Sequence, residues 1–174
     1  MKRSIRLYGD PVLRKKAVLV GSIRDDVRGV VQDLIDTLEA IPGNGLAAPQ
    51  IGSSLAIFVI TPQYKNSENQ WVSEPPQVFI NPKLTNPSTQ TEIHGEGCLS
   101  LPKLYGDVSR PVSITVSWLD LEGQSHTETF SGWKARVIMH ENDHLNGTLY
   151  IDRISPEQRH EFEPALRRIK RRGA

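Results

Sequence analysis

The sequence predicts an α+β fold with a largely antiparallel or mixed sheet, and the order of its elements predicts it. A helical apolar period stands near the start, several short strand-like segments follow one another, and two helical segments lie toward the end. The strand–helix alternation of a doubly wound sheet is missing.

Each element has its own signal. Over residues 25–41, Val27, Val30, Val31, Leu34, Ile35, Leu38 and Ile41 recur at three- and four-residue steps, which is one face of a helix. Ser22 and Asp25 form a candidate capping pair, and Pro42, Gly43 and Gly45 end the helix and open a loop. Residues 55–60 are an unbroken apolar run, Leu-Ala-Ile-Phe-Val-Ile, and read as a buried strand. Pro and Asn punctuate residues 61–76, which are expected to be a surface loop. Residues 78–80, 114–119 and 127–130 are further short strands, separated by turn signals such as Glu122-Gly123. A helix is predicted over 132–145, stopping before Gly147. Another starts at Ser155-Pro156-Glu157-Gln158, where the cap serine, the first-turn proline and the later Gln fit a capping box.

A chain of 174 residues fits one domain across 1–174, and that length buries roughly 70% of the surface the unfolded chain exposes. The apolar share is 37% and the formal net charge is +1, so the chain as a whole announces neither a DNA nor a membrane partner. Cys98 is the single cysteine, which excludes an intramolecular disulfide and points to a reducing compartment. The first ten residues carry charge and no apolar core of a secretory signal, and the longest apolar run is too short to span a bilayer. The expected location is the cytoplasm.

The strongest local signal is His140-Glu141-Asn142-Asp143-His144. Histidines at i and i+4 share a helix face, about 6 Å apart at Cβ, so both imidazoles reach one ion. Glu141 follows the first of them and is placed to take a proton from water at the ion's open position. The bland alternative is a charged helix surface. Val137, Ile138 and Met139 before the motif and Leu145 after it argue for burial instead. A metal then needs a third protein ligand. A lone cysteine is commonly a small buried hydrophobe, yet Cys98 sits in Glu96-Gly97-Cys98-Leu99-Ser100, read as following a turn at Gly95 and Gly97. One thiolate with two imidazoles makes a three-ligand set suited to zinc or ferrous iron.

A third segment, Gly43-Asn44-Gly45-Leu46-Ala47-Ala48-Pro49-Gln50, reads by itself as a helix stop and a turn into a strand. In this order, however, the three segments resemble the signature motifs of the peptide deformylases. Gly9-Asp10-Pro11-Val12-Leu13-Arg14, Asn81-Pro82, Arg110-Pro111 and Ile151-Asp152-Arg153 are similar to that family as well, so the resemblance covers about residues 4–155. It implies an α+β domain with mixed, largely antiparallel sheets around a central metal-binding helix, and N- and C-terminal helices. It implies a metallohydrolase that removes the formyl group from the N-terminal formyl-methionine of nascent polypeptides. Carried over, Cys98, His140 and His144 would bind the metal and Glu141 would shuttle the proton. Gln50 and the backbone N–H of Leu99 would stabilise the oxyanion, and Gly45 would hold the substrate backbone. Ferrous iron would be the native ion, with nickel or zinc as alternative occupants.

Three positions depart from the family's usual pattern: Asn44 for an aliphatic residue, Met139 for Gln and Asn142 for an apolar residue. Asn44 and Met139 are candidates for bordering the substrate side-chain pocket or supporting the site. Two other readings compete. A His-Glu-x-x-His endopeptidase would take Glu161 or Glu163 as third ligand. An inactive ribosome-associated binder would keep the scaffold alone. The C-terminal helix, about 156–172, carries Arg167, Arg168, Lys170, Arg171 and Arg172 with no acidic residue among the last ten. Basic side chains suit a helix C-terminus, and they equally suit docking on ribosomal RNA, with Phe162, Leu166 and Ile169 packing on the domain.

Overall fold

The computed structural model describes residues 1–173. Helix α1 spans Asp25–Glu39, and its buried stripe of Val27, Val31, Leu34 and Leu38 is the face the period predicts. Its start differs from the expected Ser22–Asp25 pair. Arg24 holds the N-cap position without a side-chain cap, and Asp25 and Asp26 in the first turn complement the helix dipole instead.

The strands, in chain order, are β1 (Gly45–Ala47), β2 (Ile57–Ile60), β3 (Gln63–Lys65), β4 (Trp71–Ser73) and β5 (Gln77–Thr85). After them come β6 (Thr91–Cys98), β7 (Leu101–Pro111), β8 (Ser113–Leu119) and β9 (Ser125–Ser131). Helix α2 (Gly132–Leu145) and helix α3 (Pro156–Arg172) complete the order. A five-stranded sheet runs β1-β2-β5-β8-β9, and β3–β4 and β6–β7 form two separate ribbons. Every one of these strand pairings is antiparallel.

Why β2 is apolar at every position follows from what covers it. Ile57 and Val59 point into a cluster with Val31, Leu34 and Leu38 of α1. Phe58 and Ile60, on the other face, join Ala135, Ile138 and Met139 of α2. Sandwiched between two helices, the strand has no solvent face, so strict alternation is lost. Each such side chain contributes about 1.5–3 kcal/mol by leaving water. The same two-sided packing places α2 against β1 and β2, at the centre of the molecule.

Three local expectations are corrected. Residues 61–76 are not only loop: they hold the β3–β4 ribbon, whose turn is built by the Asn66 side chain accepting from the N–H groups of Glu68 and Gln70 at 3.0 and 2.9 Å. Strand β5 runs well past residue 80 through an irregularity between Ile80 and Lys83, where Asn81 takes φ 52° and its side chain bonds both backbone groups of Val20 at 2.8 Å. Gly95 and Gly97 lie inside β6, opposite Asp107 and Tyr105, so the turn comes after Cys98.

Helix α2 has the predicted bounds. At α3, Ser155 caps Gln158 N–H at 3.2 Å as expected. The Gln158 side chain does not return to the cap; it accepts from Asp107 N–H at 2.9 Å and so ties α3 to β7. Leu166 and Ile169 anchor α3 on the body. Among the described residues no helix is long and apolar enough to cross a membrane.

Candidate metal centre

Helix α2 spends its apolar side on the sheet, with Ala135, Ile138, Met139 and Leu145 in the core. Its remaining faces carry His140 and His144, one turn apart, with ring centroids 5.2 Å apart. The end of β6 brings Cys98 to them, Sγ lying 3.3 Å from His144 Nε2. Cys98 Sγ and one ring nitrogen of each histidine lie within 4.8 Å of one another. The other nitrogen of His140, Nδ1, meets Glu96 Oε2 at 2.9 Å, which fixes the ring and leaves Nε2 for an ion. The Tyr150 ring stacks on His140 from behind, centroids 6.2 Å apart, and its hydroxyl donates to Leu104 C=O at 3.0 Å.

A cavity of about 480 Å³ opens over this cluster, lined by Asn44, Gly45 and Gln50 on one side and Cys98, Leu99, His140 and Glu141 on the other. Glu141 is 4% exposed, and its Oε2 is buried without a hydrogen-bond partner. Burial pushes its pKa up to about 7, against the opposing pull of His140. At His140 burial alone would lower the pKa, but Cys98 and Glu96 outweigh it and hold the ring well above its usual value. His144, depressed by burial and by His140, stays neutral. An imidazole must be neutral to bind a cation, so metal uptake at this pair releases a proton.

The donor set fits a divalent transition-metal ion. A soft thiolate and two imidazoles leave a position open, and the unpaired Glu141 oxygen lies beside them in a buried pocket where a cation would compensate its charge. Gln50 is oriented from its far end: Ala47 N–H donates to Oε1 at 2.9 Å, so Nε2 points to Ser100 Oγ at 3.2 Å and Cys98 Sγ at 3.5 Å. Of the departures, Asn44 lines the cavity, while Met139 is buried in the core behind α2 and Asn142 is half-buried. Glu161 is exposed, and Glu163 faces Arg159 and Arg167 on α3, so neither joins the cluster.

Sequence reasoning missed the charges behind the ligands. Glu96 accepts from Arg110 through both oxygens, at 2.6 and 2.9 Å, and from Arg136 at 2.8 Å. Arg110 continues to Asp143 at 3.0 Å, and Asp143 takes both branches of Arg153 at 2.6 Å. Burial would raise the Glu96 pKa, but Arg110 and His140 prevail and hold it well below the usual carboxylate range. The available signals were the position of Arg136, one helical turn before His140, and the Arg110-Pro111 and Ile151-Asp152-Arg153 segments already noted.

Three convergent ligand atoms, an open position and an adjacent buried carboxylate define the class as a candidate mononuclear metallohydrolase. Comparison with known proteins narrows the class. The sequence pattern of the polypeptide deformylase family matches residues 2–160. A peptide deformylase of Pseudothermotoga lettingae is 41% identical over 99% of this chain and 95% of its own length. One from Chlorobaculum parvum is 39% identical over 95% and 87%. Among solved structures, the peptide deformylase of Thermus thermophilus superposes with a TM-score of 0.88 at 36% identity, covering 99% of both chains. That of Thermotoga maritima gives 0.80 at 38%, covering 90% of this chain and 99% of the other. The chain belongs to the polypeptide deformylase family. It is an enzyme, metal-dependent as that family is.

Proposed function

We propose that this enzyme removes the formyl group from the N-terminal formyl-methionine of nascent polypeptides, with Cys98, His140 and His144 as metal ligands. The observation that carries the assignment is the convergence of these three ligand atoms beside the unpaired Glu141 carboxylate. When bound, the ion supplies a Lewis acid and lowers the pKa of water. Glu141 takes the proton of the attacking water and delivers it to the leaving amine nitrogen, so a single carboxylate serves as base and then acid. Gln50 Nε2 and the Leu99 N–H donate to the carbonyl oxygen as negative charge develops there, each contributing on the order of 3 kcal/mol. Gly45 on the sheet-edge strand β1 receives the substrate backbone, and Asn44 beside it borders the side-chain pocket.

Formate release from a formyl-methionyl peptide, before and after chelation, tests this. Release that stops with chelator and returns with metal is expected. An endopeptidase would cut peptide bonds instead, and an inactive binder would release nothing. The resemblance to the family supports ferrous iron as the native ion, with nickel or zinc as alternative occupants of the same thiolate and imidazole donors. Metal analysis of protein purified without oxygen decides among them.

Gly45 lets the base sit where it does. A Cβ there would lie 2.6 Å from Glu141 Oε1 and 2.8 Å from its Cγ, so the side chain and its carboxylate must be displaced to make room. Gly45→Ala is therefore expected to lower turnover by about tenfold to a hundredfold, as a misplacement near 1 Å does. The melting temperature should barely change, because a side-chain end gives way rather than backbone. Equal turnover in the two proteins would remove Glu141 from the role of base.

A nascent-chain substrate and the lone Cys98 support a cytoplasmic location. The basic end of α3 (Arg167, Arg168, Lys170, Arg171 and Arg172) is exposed along its length and serves as a ribosome-docking surface, raising effective substrate concentration. Cutting the chain after Pro164 would also strip the buried Leu166 and Ile169, so charge reversal is the cleaner probe. Arg167→Glu, Arg168→Glu and Arg171→Glu together are expected to weaken ribosome co-sedimentation at low salt and flatten its salt dependence. Turnover of short peptides should be unaffected. Equal sedimentation of variant and parent would leave the tail as a helix end.

A further inference from the structure

We infer that Arg136 is a positioning residue for the metal: it holds the helix that carries two ligands in register with the hairpin that carries the third. The inference rests on the Cys98–His140–His144 assignment. Cys98 belongs to β6, whereas His140 and His144 belong to α2, so the geometry of the set depends on how these two elements sit together.

Arg136 spans that junction. It is 5% exposed and lies one helical turn before His140. Its Nη1 donates to Glu96 Oε1 at 2.8 Å and to Val108 C=O of β7 at 2.9 Å, and its Nη2 donates to Glu92 C=O of β6 at 2.7 Å. One guanidinium thus grips both strands of the hairpin and the carboxylate that orients His140. The planar fork matters, because a lysine ammonium cannot reach three acceptors in these directions.

Glu96 adds a second reason. Arg110 already approaches both of its oxygens, so Arg136 is not needed to neutralise it. What Arg136 adds is a link to α2. Without it, the remaining polar ties across the junction are His140–Glu96, His144–Cys98 and Arg110–Asp143. The first two of these are themselves ligand contacts, so any loosening is felt directly at the metal.

Outer-shell partners of ligating histidines typically change metal affinity 10–100-fold, and Arg136 should behave as one. The test loads wild type, Arg136→Met, Arg136→Lys and Arg14→Met with nickel and follows metal release into excess chelator. Arg14→Met breaks different contacts, to Asp152 and to Gly147 C=O just beyond α2, which lie outside the junction of α2 with the hairpin, and calibrates a structural loss close to the site. Expected is release at least about tenfold faster in Arg136→Met, an intermediate rate in Arg136→Lys, and a rate within about twofold of wild type in Arg14→Met. Should Arg136→Met fail to fold, Arg136→Lys carries the comparison. Release from the Arg136 variants as slow as from wild type, or equally fast release from Arg14→Met at matched loss of melting temperature, overturns the inference. A wild type that retains no nickel overturns the ligand assignment instead.

Discussion

Glu141→Ala is expected to keep its metal and lose about 10²–10⁴-fold in turnover, equivalent to about 3–5 kcal/mol of transition-state stabilisation. Both halves of the expectation come from the same geometry. Glu141 lies beside the ligand cluster but is not part of it, so removing it leaves three donors in place. Its Oε2 is buried with no partner and its pKa is pushed up to about 7, so the folded protein carries the carboxylate at a cost. The melting temperature of the variant should therefore hold or rise, as is common where an active-site charge is removed. Glu141→Gln keeps the shape and should be nearly as inactive. Formate release and metal content on the same samples check the result, and wild-type turnover in either variant would dismiss the proton-shuttle role.

The second large effect concerns the ligands. Cys98→Ser, His140→Ala and His144→Ala should each emerge from dialysis without stoichiometric metal and without activity, because three donors cannot spare one. The three should differ in stability. Cys98→Ser is nearly isosteric at a half-buried site and should melt close to the metal-free wild type. His144→Ala empties a position that is 1% exposed, and should lose about 2–4 kcal/mol from the cavity alone. His140→Ala also takes a partner from Glu96, though Arg110 and Arg136 still satisfy that carboxylate. Unchanged metal content in all three would remove the centre from these residues.

How much of this was legible in the sequence depends on whether burial was written in apolar residues. Helix α2 was, through Ile138, Met139 and Leu145, and its bounds were recovered from pattern and the glycines at its ends. The two histidines and Glu141 were legible because helical spacing alone puts them together. The β6–β7 ribbon was not. Its strands carry Glu92, His94, Glu96, Lys103, Asp107 and three glycines, so no period of two stands out, and its two glycines before Cys98 mimic a turn. Arg110, Arg136 and Asp143 look like surface charges until the fold shows Arg110 paired with Asp143, and both arginines paired with Glu96, in the interior. The Ser22–Asp25 cap failed for the opposite reason: the right residue types were present, but the helix starts at Asp25 itself. Gln50 and Gly45 meet Cys98 and α2 through tertiary packing alone, which local spacing cannot reveal.

Strand β1 is only three residues long, stands at the edge of the sheet, and borders the cavity at Gly45. Such an edge offers a peptide nothing but N–H and C=O groups, and every polypeptide presents the complementary pair at every residue but proline. Recognition through it, with the substrate backbone held at Gly45 as proposed, would be blind to which protein is being made. Selectivity is then concentrated at the formylated end, where the reacting carbonyl and the methionine side chain sit, and one enzyme can serve an entire proteome. The same shortness limits the hazard of an unpaired edge, because three residues, of which only Gly45 borders the cavity, are too few to template another chain.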